Sequence, residues 1–202
     1  MKHILSLAFV VLLVSSAVAQ TSWKLDKSHS NVKFAVTHLV IAEVEGRFTD
    51  FDATITHTNE DLTDAKIEAT IKTASINTDS ERRDNHLKSD DFFNAEKFPE
   101  LKFVSTKMEK TGDKTYKIHG DLTIRDVTKP VVLDTKFMGT IKDARGTTKA
   151  GFRATTTIDR FEFGTTWSAA IESGALVVGK EIEITLLMEF NQINSGIEPG
   201  TK

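Results

Sequence analysis

The 202-residue chain contains no cysteine. That excludes disulfide staples, thiolate metal sites, cysteine nucleophiles and a lipid anchor attached through cysteine. The fold must hold by its core. Charge of one sign is not in excess either: 26 lysines and arginines face 29 aspartates and glutamates, and no block of like charge stands out. A near-neutral, evenly mixed chain argues against nucleic acid as a partner. There is no G-x-S-x-G elbow and no H-E-x-x-H motif. His29, His38, His57, His86 and His119 are scattered without metal-ligand spacing. No catalytic residue, metal ligand or cofactor is assigned on this basis. Ser28-His29-Ser30 sets a histidine between hydroxyls, but neighbours on a strand point to opposite faces and form no nucleophile–base pair by themselves.

Long apolar runs are scarce too. The one present, Ile4 to Val14, follows Lys2 and precedes Ala17-Val18-Ala19, which reads as an A-x-A cleavage site. About eleven apolar residues are too few to cross a bilayer core of about 30 Å. The expectation is a signal peptide over 1–19 and a mature, soluble, periplasmic or secreted protein from Gln20, with no membrane span. Residues 20–190 read as one domain. Residues 191–202, with Gly196, Pro199 and Gly200, read as a flexible tail.

What the chain does have is alternation of apolar and polar residues, the period of half-buried strands. It recurs over Ser30–His38, Val44–His57, Ala65–Ile76, Leu101–Met108, Tyr116–Arg125, Val131–Ile141, Ala150–Ile158 and Glu181–Phe190. A one-residue phase slip near Thr49-Asp50 predicts a bulge or bend. Eight strands with one apolar and one wet face, joined by turns such as Thr111-Gly112-Asp113, predict an all-β antiparallel sheet whose edges close into an eight-stranded barrel. A sandwich is the alternative. One stretch breaks the rhythm, Ser75 to Phe103. Ser80 is placed to cap a short charged helix, and Phe92, Phe93, Phe98 and Phe103 crowd around Pro99. This segment suits a plug across the end of the β-structure.

An eight-stranded barrel either fills itself with side chains or holds one small ligand. Gly46, Ala53, Ala69, Gly120, Gly139 and Ala154 fall on inward positions. They leave a narrow channel unless large residues opposite fill the gaps, and composition alone does not decide between the two.

The text DKSHSNVKFAVTHL (Asp26–Leu39), EGRFTDFDATI, SINTDSERRDNHLKSDDFFNAEKFPELKF, GDLTIRDVTKPV (Gly120–Val132) and DRFEFG (Asp159–Gly164) resembles the YceI-like family, in family order and from about Trp23 to Phe190. The resemblance implies an extended lipocalin-like barrel that binds polyisoprenoid chains, isoprenoid quinones included, in an elongated apolar pore. It also implies export. Where the family usually has Gly after LTIR, this chain has Asp126, a residue that tolerates a left-handed turn.

The inward faces then become candidate pore walls. They are Val32, Phe34 and Val36 on one strand, Phe48 and Ile71 on the next two, and Phe92 and Phe93 after the helix. Phe103, Leu122, Phe137, Phe152 and Leu186 complete the set. The aromatics near the helix either line the pore or seat the helix. For a ligand head group the candidates are His38, Arg83 and His86. His38 is otherwise a hydrogen-bonded core histidine. Arg83 otherwise pairs with Asp84 and pins the helix to Asp159 or Arg160, and Asp159-Arg160 with Phe163-Gly164 reads as a structural corner. The expected partner is a polyisoprenoid or quinone-like lipid, held for transport, storage or sequestration. A filled barrel acting as a stress-linked scaffold is the alternative, and a homodimer is compatible with either.

Overall fold

The structure, a computed structural model, describes residues 20–193. Residues 1–19, expected to be a signal peptide, and those beyond Ile193, expected to belong to a tail, lie outside the described residues. The strands are β1 (Thr21–Leu25), β2 (Asn31–His38), β3 (Ala42–Phe48), β4 (Phe51–His57), β5 (Lys66–Lys72), β6 (Ile76–Asn77), β7 (Glu100–Lys110), β8 (Thr115–Ile124), β9 (Val127–Lys142), β10 (Thr148–Asp159) and β11 (Val178–Ile193). The single α-helix among them, α1, spans Glu81–Lys88.

These pieces make eight strands, because three strands are bent. A 3₁₀ turn at Lys27–His29 separates β1 from β2, Thr49-Asp50 separates β3 from β4, and a 3₁₀ turn at Thr73–Ser75 separates β5 from β6. The break at Thr49-Asp50 is the predicted phase slip: Phe48 and Phe51 both point inward although they stand three residues apart. Two breaks are tied to each other, since Thr49 N–H donates to Ser75 O at 3.1 Å and Lys72 N–H to Asp50 O at 2.9 Å. Bending neighbouring strands at one level turns the sheet without leaving its backbone groups unpaired.

The order β1-β4-β5-β7-β8-β9-β10-β11 returns to β1, so the antiparallel barrel is closed. Closure depends on β11, which pairs with β2 through Val178–Leu187 and with β1 through Phe190–Ile193. The strand therefore runs past Phe190, and residues 191–193, assigned to the tail from sequence, belong to the barrel. β1 was also missed as a strand. It is five residues long and carries two buried positions, Trp23 and Leu25, too short a run for alternation to register.

One end of the barrel is filled. Trp23, Leu25, Met108, Tyr116, Ile118 and Phe190 are buried there at 3–7% exposure, and each buried apolar side chain of this size contributes about 1.5–3 kcal/mol. The indole N–H of Trp23 donates to His57 Nε2 at 2.9 Å across the β1–β4 pair. His57 Nδ1, 2.9 Å from Asn59 O, must then carry the ring proton.

The other end is covered by α1 and the loop after it. Ser80 occupies the N-cap position but makes no side-chain cap bond. Instead Asp84 accepts from the Thr78 N–H at 2.8 Å and from its hydroxyl at 2.5 Å. Glu81 and Asp84 in the first turn, and His86 and Lys88 in the last, complement the helix dipole. The β8–β9 turn, Arg125-Asp126, puts its left-handed residue at Arg125 (φ 60°), not at Asp126. The aspartate is not the residue that must tolerate that conformation.

Candidate functional site: an apolar cavity under the helical cap

Within the half of the barrel below α1 lies a cavity with about 190 Å³ of space open to the centre of a water molecule. It follows β11 from Ile182 to Met188, about 20 Å of strand. Its walls are the inward faces of β2–β5 and β7–β11, and Leu87, Phe92 and Phe93 close it from the cap. The polar lining is Lys33, Asp52, Thr156, Arg160 and Thr165.

Strand phase placed most of the wall. Val32, Phe34, Val36, Phe48, Ile71, Phe92, Phe93, Phe103, Leu122 and Leu186 all line the cavity. Phe92 and Phe93 do so while also seating the cap: Phe93 meets Phe48 edge-on at 5.9 Å, and Phe92 stacks on Trp167 at 5.4 Å. Phe137 and Phe152 do not line it. Their rings pair at 5.1 Å across β9–β10, and Phe152 meets Phe190 at 6.0 Å, within the filled end. Alternation identifies the face of a strand, not the depth along it, and these two residues face inward at the wrong depth.

The inward small residues divide. Ala53 and Ala69 line the cavity. Gly46 lies under the ring of Phe34 and Gly120 under that of Phe103, each too close for a Cβ. Ala154 is buried in the core, and Gly139 sits at a β9–β10 register shift with open space beside it. Channel and filling coexist in one barrel.

The three head-group candidates are not brought together at the cavity. His38 ends β2 and pairs with Val178 and Ala42, outside the lining. Arg83 is exposed and donates to Thr78, through Nε to the hydroxyl at 2.8 Å and through Nη2 to the carbonyl at 2.7 Å. It bonds neither Asp84 nor the Asp159-Arg160 corner; both helix residues instead hold Thr78. His86 Nε2 lies 2.8 Å from Asp91 and its ring meets Phe92 and Trp167 edge-on, on the outside of the cap.

Two cations line the cavity, Lys33, which is exposed, and Arg160, which is buried and reads from sequence as a corner. It is a corner, opening the 3₁₀ turn Arg160–Phe163 that ends on Gly164 (φ 74°). It is also 5% exposed and lines the cavity. Its Nε, Nη1 and Nη2 donate to the carbonyls of Gly179 (2.9 Å), Trp167 (2.8 Å) and Val178 (3.3 Å), and its plane lies over Phe161 at 4.1 Å. Burial pulls its pKa down from the usual value, yet a guanidinium stays charged in a protein. Of its five N–H donors, two remain beyond these bonds. The sequence signal was an arginine set among phenylalanines where a strand ends.

At the filled end, topology assembles a cluster that spacing did not suggest. Asp26, His29 and Glu189 bring one ligand-type atom each within 4.8 Å of the others. The positive charge there is Lys149, whose Nζ lies 2.7 Å from Glu189 and 3.1 Å from Asp26. Ser28 and His29 lie in a 3₁₀ turn, not on a strand, so the expectation that they diverge is corrected: Ser28 Oγ is 3.1 Å from His29 Nδ1. Asp26 lies 3.0 Å from that same nitrogen, and the serine hydroxyl donates to Asp26 at 2.6 Å. A nucleophile–base relay needs the hydroxyl on one ring nitrogen and the carboxylate on the other. This cluster is a clasp of the β1–β10–β11 seam.

Residues 23–190 match the YceI-like domain. A UPF0312 protein of Photorhabdus laumondii subsp. laumondii is 41% identical over 158 residues, 77% of this chain and 82% of that protein. The crystal structure of the Campylobacter jejuni YCEI protein is 36% identical with a TM-score of 0.67, covering 84% of this chain and 97% of that one. A domain from Saccharophagus degradans, described as polyisoprenoid-binding and implicated in plant cell wall breakdown, shares the fold at 12% identity and a TM-score of 0.62, covering 85% of this chain and 98% of that one.

Proposed function

The chain belongs to the YceI-like family, and from that premise we propose that it is an exported binding protein that holds one polyisoprenoid or isoprenoid-quinone lipid in the barrel cavity. The observation that carries this reading is the cavity itself: apolar walls along about 20 Å of strand, closed by aromatic side chains, with a buried cation at its edge. The polyisoprenoid-binding neighbour supports the ligand class. Apolar burial is non-directional, so the walls select chain girth and length. Arg160 is the group we assign to an oxygen of the head group, in place of His38, Arg83 and His86.

A scaffold with a filled barrel requires a core packed throughout, and the half below α1 encloses a cavity. The sequence pattern over 1–19 supports export, and with it a periplasmic or secreted location, testable by fractionation. The protein acts by sequestering or carrying its lipid rather than by turning it over.

The test is native mass spectrometry of the protein produced in cells with its full sequence, followed by organic extraction. A stoichiometric adduct that extracts as an isoprenoid, and is lost in Phe34→Asp while the barrel stays folded, is expected. A clean apo mass with no uptake of added polyprenols or quinones overturns the reading.

A further inference from the structure

The β2–β3 hairpin ends in Leu39-Val40-Ile41, exposed by 38%, 61% and 89%. Other turns among the described residues present polar groups to solvent, as in Arg125-Asp126, Gly112-Asp113 and Asp143–Gly146. Here three consecutive apolar side chains stand outward. The backbone is unusual as well. Leu39 and Val40 take φ of 51° and 67°, a left-handed conformation that a β-branched residue rarely adopts. Asparagine or glycine would suit the turn better and would be soluble, so neither folding nor solubility accounts for an apolar side chain at these positions.

The tip is joined to the cavity. Leu39 N–H donates to Val177 O at 2.8 Å, and His38 pairs with Val178. Val178 lines the cavity, and its carbonyl accepts from Arg160. On either route one residue, Val177 or His38, stands between Leu39 of the tip and Val178 at the edge of the cavity.

We propose that Leu39-Val40-Ile41 is a membrane-docking tip that inserts into the apolar edge of a lipid bilayer and sets the cavity against the source of its cargo. The inference rests on the carrier reading for its purpose, though not for its geometry. A protein partner fits less well, because a stable interface needs about 800 Å² from each side, and three side chains on one turn offer far less. Glu43 and Glu45 follow the tip on β3 and are exposed, so the attraction is apolar and not to anionic head groups.

Because the chain has no cysteine, Ile41→Cys carries a single environment-sensitive NBD label, with Asp143→Cys on another hairpin as control. On neutral phosphatidylcholine vesicles the emission from position 41 is expected to rise several-fold and that from position 143 to stay flat, with a weaker rise when phosphatidylglycerol is added. In the unlabelled protein, Val40→Asn/Ile41→Ser, which suits the left-handed turn, is expected to take a polyprenol from vesicles at least tenfold more slowly while taking it from ethanol dilution at the parent rate. Flat emission at position 41, or unchanged uptake from vesicles by the double variant, overturns the proposal. An emission rise that tracks protein concentration without vesicles also overturns it, in favour of a contact between two copies. If emission rises on vesicles but the parent takes up no polyprenol from either source, the carrier reading fails and the docking tip stands.

Discussion

The tip of the Phe34 ring on β2 lies against Gly46, its cross-strand partner on β3, in space that any Cβ would occupy. The same space is bounded by the methyl of Thr78, which both Arg83 and Asp84 hold from the cap. The glycine thus decides where a cavity-lining aromatic rests. Gly46→Val should drive the Phe34 ring toward the cavity. Overpacking of this kind costs about 1–3 kcal/mol, so the urea midpoint should fall and lipid uptake should fall further. Adding Phe34→Leu should recover both, and a double-mutant cycle with no coupling would remove the contact from the account.

Arg160 invites a test of selectivity. Arg160→Met takes three hydrogen bonds from the carbonyls of Gly179, Trp167 and Val178, so overall affinity should drop for structural reasons alone. The informative quantity is a ratio. A hydrogen bond to a charged group contributes about 1.5–3 kcal/mol, so preference for a polyprenol or quinone over a plain hydrocarbon chain should shrink by about tenfold or more. An unchanged ratio would show that Arg160 only secures the corner.

The clasp at the filled end should give the protein an acid-sensitive seam. The Ser28 hydroxyl, then His29 and Lys149, hold the Asp26 carboxyl well below the usual carboxylate range. A lowered folded-state pKa contributes stability that is fully present above the unfolded value, about 3.9, and is lost as pH falls through the folded one. Asp26→Asn should therefore melt lower than the parent at pH 7, and the gap should narrow as pH drops below about 4. A constant gap across that range in thermal melts would contradict the assignment.

Arg125 combines backbone strain with anchorage. It sits at φ 60°, and its guanidinium donates to Phe92 O at 2.7 Å and to Asp90 O at 2.9 Å, and pairs with the Asp90 carboxylate at 3.0 Å. Arg125→Ala keeps the left-handed strain and loses the anchor; Arg125→Gly loses both. The glycine variant should be the more stable of the two by about 1–2 kcal/mol. Both should show faster proteolysis of the loop over residues 89–98. Equal protection in the two variants and the parent would mean that the cap is held by its aromatics alone.

Much of this molecule can be read from its text because a barrel wall has a period of two. Val32, Phe34 and Val36 announce one face, and the slip at Thr49-Asp50 announces the bend. Depth does not repeat with any period, so alternation points Phe137 and Phe152 into a cavity that ends above them. Head-group candidates chosen by residue type, His38, Arg83 and His86, lie off the cavity lining, because polarity marks a side chain and not its destination. Arg160 reaches the cavity through a corner whose shape depends on Gly164 and on the carbonyls of Trp167, Val178 and Gly179, partners that stand 7 to 19 positions away in the sequence. The Asp26–His29–Glu189–Lys149 clasp joins residues up to 163 positions apart by their numbers, and only strand order brings them together.

The shared strand β11 has a mechanical consequence. Its C-terminal stretch is bonded to β1 in the packed end, and its longer N-terminal stretch to β2 beside the hollow end. One continuous strand thus spans two compartments that have different neighbours. The packed compartment can stay shut while the hollow one breathes, because the β11–β2 hydrogen bonds that would have to yield are not the β11–β1 bonds that close the packed end. Amide exchange would divide along that line, slow from Phe190 to Ile193 and faster from Val178 toward Ile182, with local opening uncoupled from global unfolding. Sequence change in the hollow compartment would then leave the β11–β1 seam of the packed end intact.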